Sequence, residues 1–222
     1  MMKERLDRQT IAMRVAKEIP VGAVVNLGIG IPDLVANLIP GDKQVHFQAE
    51  HGVLGFGSII FDQERIDWDY TDAGGHPVEI RPGGCFFHHA DSFAMIRGGH
   101  IDITVLGALQ VSEQGDIANW WFPDRGFGNI GGAMDLAVGS KRLFVAMEHT
   151  TKALEPKIVR NCTYPLTAAG VVRMVFTDLA VIEIDEKGLV LNEYAPGWTV
   201  EEIQALTEPP LRTAVDLKEI EL

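Results

Sequence analysis

The chain has few cysteines and little positive charge. Cys85 and Cys162 are the only cysteines in 222 residues, and their separation fits neither a disulfide framework nor a zinc knuckle. We therefore expect a cytoplasmic protein with reduced thiols. The 19 Lys and Arg residues are outnumbered by 31 Asp and Glu residues, for a formal net charge of −12. That balance argues against binding to nucleic-acid phosphates and to anionic membranes.

Long apolar runs and familiar catalytic motifs are also lacking. No run is long enough to span a membrane, and the charged N-terminus has no signal-peptide core. There is no Walker A motif, no Gly-x-Ser-x-Gly elbow and no His-Glu-x-x-His. Seven histidines lack ligand spacing, so we expect no metal site. In Gly28-Ile29-Gly30 a dinucleotide-binding turn is incomplete, because Asp33 replaces the third glycine and would repel a phosphate. The turn either brings backbone amides to a substrate or is purely structural.

The segments that remain alternate between strand and helix patterns. This alternation predicts an α/β fold with an open, largely parallel sheet and flanking helices, in one domain covering residues 1–222. Predicted strands lie at 23–30, 45–49, 101–106 and 142–147, with a C-terminal hairpin of 179–184 and 189–193. Predicted helices lie at 4–18, 32–38, 92–97, 133–138 and 168–176, and a last one follows the capping box Thr199-Val200-Glu201-Glu202. We expect residues 52–84 to be irregular with short strands, and the tail from about 209 to 222 to be extended.

Glu50 is the most informative residue. It follows the predicted strand 45–49 and precedes Gly52 and Gly55, so it should stand at a strand's carboxyl end, where open α/β sheets bind ligands. A carboxylate there is a candidate nucleophile or base. The alternative is an ordinary solvated glutamate at a strand end. If neighbouring strands are parallel, the turns that follow them meet at the same edge and surround Glu50 with backbone amides.

Two further segments carry chemical or packing signals. Gly131-Gly132 precedes a predicted helix, which allows close backbone approach and offers unpaired N–H groups to an oxyanion. Taken alone, the pair is only a turn. Trp120-Trp121-Phe122 is an apolar cluster that fits core packing, an apolar wall of the site, or a subunit interface.

Several long segments together resemble the β subunit of family I coenzyme A transferases, the succinyl-CoA:3-oxoacid, 3-oxoadipate and acetate/acetoacetate types. The matching segments are Asn26–Pro32, Gln48–Gly52, Ser92–Asp102, Gly131–Leu136, Met147–His149 and Pro165–Thr167, and the resemblance runs from about residue 5 to about 207. It implies a fold shared with certain sugar-phosphate isomerases. It also implies that Glu50 is the catalytic nucleophile, that Asn26 lies near the acyl and thioester groups, and that Gly132 and Ala133 form the glycine loop beside the glutamate.

The resemblance further implies a reaction and a partner. The carboxylate of Glu50 would form a mixed anhydride and then a glutamyl-CoA thioester while CoA passes from an acyl-CoA to a short carboxylic acid. CoA thioester would be a substrate, with no permanently bound cofactor. The partner α subunit has its own glycine-rich CoA-binding segment, which is not found here, so we expect a second polypeptide in an α2β2 assembly.

The chain departs from the family pattern close to the glutamate. His51 replaces the usual Asn and Ala49 the usual Ser, Gly75 replaces a lysine found in some relatives, and His88-His89 stands where small polar residues are usual. His51 could hydrogen-bond to the substrate as the Asn does, or activate water. A CoA-thioester hydrolase is therefore one alternative, and a non-catalytic ligand-sensing subunit is another. The acyl group stays open.

Overall fold

The protein is described by a computed structural model that covers residues 3–40, 43–122 and 126–221. Its strands are numbered along the chain: β1 Val24–Leu27, β2 His46–Ala49, β3 Val53–Ile59, β4 Val78–Phe86, β5 Ile103–Leu106, β6 Gln110–Ser112, β7 Ile117–Ala118, β8 Trp121–Phe122, β9 Phe127–Gly128, β10 Arg142–Ala146, β11 Ile158–Val159, β12 Val172–Phe176, β13 Ala180–Asp185, β14 Gly188–Tyr194 and β15 Arg212–Glu219. The helices are α1 Arg8–Glu18, α2 His89–Arg97, α3 Ala133–Gly139 and α4 Val200–Ala205, and a 3-10 helix spans Pro32–Asn37.

A ten-stranded sheet organises these elements, in the order β15-β14-β13-β12-β10-β5-β1-β2-β3-β4. Its five central strands, β12, β10, β5, β1 and β2, are parallel to one another. Antiparallel pairs flank them, with β2-β3-β4 on one side and the hairpin β13-β14 on the other, and β15 runs parallel to β14. The predicted α/β fold with a largely parallel central sheet and a C-terminal hairpin is confirmed.

The central sheet is buried on both faces. In β10, Phe144 and Ala146 belong to an apolar cluster that includes buried residues of α1 and of the 3-10 helix. Leu143 and Val145 belong to a second cluster, with residues of β6, β7 and α4. Successive side chains of a strand point to opposite faces, so β10 contributes to both cores. Polar side chains at the carboxyl edge of these strands are therefore held on a rigid support.

One predicted helix is wrong. Residues 168–176 do not form a helix; Val172–Phe176 is the central strand β12, paired parallel with β10 and antiparallel with β13. Val172, Val175 and Phe176 are fully buried there. The periodicity of a short apolar run cannot distinguish a buried strand from a buried helix. Pairing with neighbouring strands determines that this segment is a strand.

Other element bounds shift for local reasons. Helix α1 begins at Arg8 because the side chain of Asp7 accepts a hydrogen bond from the Thr10 amide. Helix α2 begins at His89, three residues earlier than predicted, because His88 caps it. The sequence predicts irregular structure with short strands for residues 52–84, but β4 is nine residues long and extends past this region to Phe86. It contains Pro82 and two glycines, which the outermost strand of a sheet tolerates.

The described part of the chain has no helix long and apolar enough to cross a membrane. After Pro210, β15 closes one edge of the sheet, and Leu222 lies outside the described residues.

Candidate active site

Glu50 lies in the tight turn that joins β2 to β3, directly after the carboxyl end of parallel strand β2. The turn is closed by the Gly52 amide, which donates to the Ala49 carbonyl at 3.1 Å. Gly52 has φ +124°, and a Cβ there would lie 2.2 Å from the carbonyl oxygen of Phe87. Only glycine meets both demands. This glycine therefore fixes where the half-buried Glu50 side chain leaves the sheet.

A buried polar network supports the strand end below Glu50. The side-chain amide of Asn26 in β1 donates to the Gln48 carbonyl oxygen at 2.9 Å and to its Oε1 at 2.6 Å. Gln48 Nε2 donates in turn to Ser92 Oγ at 2.6 Å, and Ser92 Oγ lies 3.4 Å from the Ala49 carbonyl oxygen. All these side chains are fully buried. Asn26 therefore positions the segment that carries Glu50 from beneath and does not line the cavity.

Glu50 faces a cavity of about 640 Å³ at the carboxyl edge of the sheet. Its wall includes Gly28 and Ile29 after β1, Gly107 after β5, residues 129–132 before α3, and Ala133 at the start of α3. The turns after β1 and β5 converge on Glu50 as predicted. The turn after β10 does not, because Met147 lines a neighbouring cavity. Among the described residues of this wall, Glu50 is the one charged group. No hydrogen bond or ion pair within the described chain engages its carboxylate.

Gly132 approaches Glu50 from a distant part of the chain. A Cβ on Gly132 would lie 3.4 Å from Glu50 Cγ and 3.0 Å from Phe93 Cζ. The Ala133 amide donates to the Ile130 carbonyl at 3.0 Å, so it is already engaged. The Gly132 amide has no partner within the described segments, which leaves it available to an oxygen near Glu50. Of the predicted pair, Gly132 is the better donor.

The histidines near Glu50 are not brought into the cavity. His51 is exposed and does not line it. His88 Nδ1 accepts from the Ala90 amide at 3.1 Å, and the His89 ring packs against Phe93 in a tilted arrangement with 4.6 Å between centroids. Their contacts are those of a helix cap and a packing residue. In the aromatic segment, Phe122 forms part of the cavity wall.

A second, smaller cavity of about 170 Å³ shares the wall residues Ile29, Gly107 and Ala108 with the first. Its charged residues are Arg8, Glu148 and Lys157. The guanidinium of Arg8 donates to Glu148 Oε1 from Nε at 2.9 Å and from Nη2 at 2.6 Å. No sequence pattern marked this group, because its members come from three separate parts of the chain.

The residue after Glu148 is turned inward. His149 is fully buried, with Nδ1 2.9 Å from Thr177 Oγ1 and Nε2 2.8 Å from Thr207 Oγ1. Burial lowers the pKa of His149 to about 4, so its ring is neutral near pH 7. This segment therefore anchors the end of β10 and directs Glu148 to the cavity.

A cluster that sequence reasoning missed lies behind the Gly28–Gly30 turn. Asp33, Asp72 and His76 each place a carboxylate oxygen or ring nitrogen within 4.8 Å of the others. Asp33 Oδ2 accepts from the Gly30 amide at 2.8 Å, and Asp72 lies 2.8 Å from the His76 amide and 3.1 Å from its Nδ1. These hydrogen bonds hold the Gly28–Gly30 turn and the segment that contains Asp72 and His76, which lie beside each other.

Comparison with known families fits this geometry. A family model described as Coenzyme A transferase matches residues 8–206. The chain belongs to the coenzyme A transferase family. It is 48% identical over 209 residues to one of the subunits of 3-oxoadipate CoA-transferase from Acinetobacter baylyi, covering 93% of this chain and 95% of that one. It is 44% identical to the beta subunit of acetate CoA-transferase from Haemophilus influenzae, with 97% and 96% covered.

The fold is also that of solved members of the family. The acyl-CoA transferase YdiF from Escherichia coli O157:H7, solved as the apoenzyme, superposes with a TM-score of 0.79 at 21% sequence identity. The match covers 100% of this chain and 44% of YdiF, so this chain spans less than half the length of that protein.

Proposed function

We propose that this coenzyme A transferase uses Glu50 as a covalent nucleophile to move CoA between an acyl-CoA and a carboxylic acid. The observation that carries the proposal is the unpaired Glu50 carboxylate in the larger cavity, beside the free Gly132 amide. A carboxylate without a cation or donor keeps its electron pairs available for attack. The only charged group in the cavity wall of the described chain thus stands where a thioester can reach it.

The steps balance through two covalent intermediates. A Glu50 oxygen attacks the thioester carbonyl, the C–S bond breaks, and CoA leaves as a thiolate. The thiolate attacks the glutamyl carbonyl of the mixed anhydride and expels the first acid, which leaves Glu50 as a CoA thioester. An acceptor carboxylate then runs both steps in reverse. Each attack creates an oxyanion, and a preorganised donor such as the Gly132 amide is worth about 3 kcal/mol to such a species.

The matched test compares Glu50→Gln with Glu64→Gln, since the exposed Glu64 side chain lies outside the cavity and has no partner within the described residues. Glu50→Gln should lower kcat by about 1,000-fold or more, and Glu64→Gln should leave it unchanged. An 18O-labelled acceptor carboxylate should deposit label in the Glu50 side chain, read by mass spectrometry of its peptide. Full activity of Glu50→Gln, or label from water instead, would contradict the proposal.

The hydrolase alternative has less support in this structure. It depends on His51 activating a water beside Glu50, but His51 is exposed and outside the cavity wall. Loss of the thioester at a rate that does not depend on an acceptor acid would support the hydrolase alternative. Transfer that requires the acceptor supports the proposed reaction.

We also propose that the active enzyme contains a second, α-type subunit in an α2β2 assembly, with no permanently bound cofactor. Each of the two relatives described above is named as one subunit of its transferase. Apolar side chains are exposed at or beside the cavity wall, including Ile29 at 69% and Met134 at 49%, and such patches are typical of protein interfaces. Co-purification and the mass of the complex test this assembly. A monomer that is active alone would refute it.

A further inference from the structure

Lys157 carries a half-buried ammonium without a partner among the residues that the structure describes. Its backbone is fixed, because its amide donates to the His149 carbonyl at 3.1 Å and its carbonyl accepts from the Val111 amide at 3.0 Å. Its side chain lines the 170 Å³ cavity. No side-chain hydrogen bond, and no carboxylate within 4.0 Å, engages its Nζ anywhere in the described residues. Buried ammonium groups are costly unless something compensates them.

The other charges of this cavity cancel each other. Arg8 and Glu148 form an ion pair at 2.6 Å, which leaves Lys157 as the charge of this cavity without an ion-pair partner among the described residues. Burial lowers the pKa of Lys157, and the negative charges of Glu148 and Asp178 oppose that effect. The cavity therefore holds a net positive charge in a protein whose formal net charge is −12.

We propose that the Lys157 cavity is an oxyanion subsite, which takes the carboxylate or phosphate group of a substrate at the end remote from Glu50. This inference rests on the proposed transferase function. The two cavities adjoin, because Ile29, Gly107 and Ala108 line both of them, and the Lys157 cavity therefore lies next to the space that Glu50 faces. A volume of 170 Å³ is several times the roughly 30 Å³ of a water molecule. It therefore holds one such group and not a nucleotide.

Two parts of the substrates carry that chemistry. One is the distal carboxylate of a dicarboxylic acid, and the other is a phosphate of CoA. The test uses the enzyme assembled with its partner subunit and compares wild type with Lys157→Met. The first arm measures KM for succinate and for butyrate as acceptors. The second arm measures KM for an acyl-CoA and for the matching acyl-pantetheine, which lacks the phosphates.

A charge-assisted contact should give a change of about tenfold. If the subsite takes a carboxylate, Lys157→Met raises KM for succinate by that factor and leaves KM for butyrate unchanged. If it takes a phosphate, the variant raises KM for the acyl-CoA and not for the acyl-pantetheine. Changes below about twofold in both arms, in a folded and active variant, overturn the proposal.

Two controls keep the result decisive. Lys152→Gln removes an equal charge from an exposed lysine five positions away that has no side-chain partner in the described residues, and it should change neither KM. Glu148→Gln removes the negative charge paired with Arg8, so it should lower the KM for whichever substrate, succinate or the acyl-CoA, the subsite binds. This variant tests the subsite even if Lys157→Met does not fold. Unchanged constants for Glu148→Gln would also count against it. A wild-type enzyme that transfers no CoA refutes the proposed function, whereas normal transfer with unaltered variants refutes only the subsite.

Discussion

The buried carboxyl group of Asp33 should make the stability of the protein depend on pH, and the size of this effect follows from the surroundings of Asp33. The carboxyl group is buried, with 5% of the residue exposed, and faces Asp72 at 7%. Burial, together with the charge of Asp72, raises the pKa of Asp33 from 3.8 to about 6, although the Gly30 hydrogen bond and the charge of His76 act against it. Asp33→Asn removes the titrating group and keeps an oxygen that can accept from Gly30.

The sign of the effect follows from proton binding. Because the folded pKa is above the unfolded one, the folded state holds more protons on Asp33 between about pH 4 and pH 6. The stability from this group is full below pH 3.8 and is lost as the pH rises through about 6. The pKa of Asp33 differs between the folded and unfolded states by 6 − 3.8 = 2.2 units. At 1.36 kcal/mol per unit, the stability lost is about 3 kcal/mol. The free energy of unfolding of Asp33→Asn, minus that of wild type, should therefore rise by about 3 kcal/mol between about pH 3 and pH 7.

Denaturant unfolding of both proteins at one-unit pH steps measures this difference. Titrating groups that do not interact with Asp33 cancel in it, whereas Asp72 and His76 interact with Asp33 and contribute to it. Asp102→Asn is the control of opposite sign. Asp102 has a lowered pKa because of hydrogen bonds from Lys141 and from the Val24 amide, so its replacement should cost stability near pH 7 and cost less as the pH falls. A difference for Asp33→Asn that is flat with pH to within about 0.5 kcal/mol would refute the burial argument.

Two further substitutions test the site and the fold separately. Gly132→Ala places a methyl group 3.4 Å from Glu50 Cγ and 3.0 Å from Phe93 Cζ, so kcat of the assembled enzyme should fall about tenfold or more; an unchanged kcat would show that Glu50 has room to move. Thr199→Ala removes the capping box in which Thr199 Oγ1 accepts from the Glu202 amide. It should cost about 1 kcal/mol in denaturant unfolding with kcat unchanged, and an effect on kcat would mean that α4 influences the site.

The strand end that carries Glu50 could be predicted because its signals are local. A short apolar run followed by Gly52 can continue only as a turn, and the structure has that turn. The capping box at Thr199 is predictable for the same reason, and both of its hydrogen bonds are present. The catalytic role of Glu50, the single domain and the cytoplasmic location stay predictions.

The buried hydrogen-bond network that supports Glu50 could not be predicted from the spacing of its residues along the chain. Asn26, Gln48 and Ser92 are 22 and 44 residues apart along the chain, and they meet only because β1 and β2 pair in a register that sets Asn26 opposite Gln48. The family resemblance assigns Asn26 to the substrate, and that role stays a prediction; in this structure the side chain bonds to Gln48 and is not among the residues that line the cavity. Parallel pairing is set by crossovers, which a local pattern does not contain.

The placement of charge links the two cavities to the proposed chemistry. A cation paired with Glu50 would stabilise the carboxylate and weaken it as a nucleophile, but both substrates are anions and need a positive group nearby. In this fold the two requirements are met in separate places: Glu50 stands alone in one cavity, Lys157 stands in the next, and a wall of small residues that includes Gly107 and Ala108 lies between them. If the subsite works as proposed, moving positive charge to the wall beside Glu50, as in Ala73→Lys, should strengthen substrate binding and yet lower kcat. An increase in both would show that Glu50 does not depend on being unpaired.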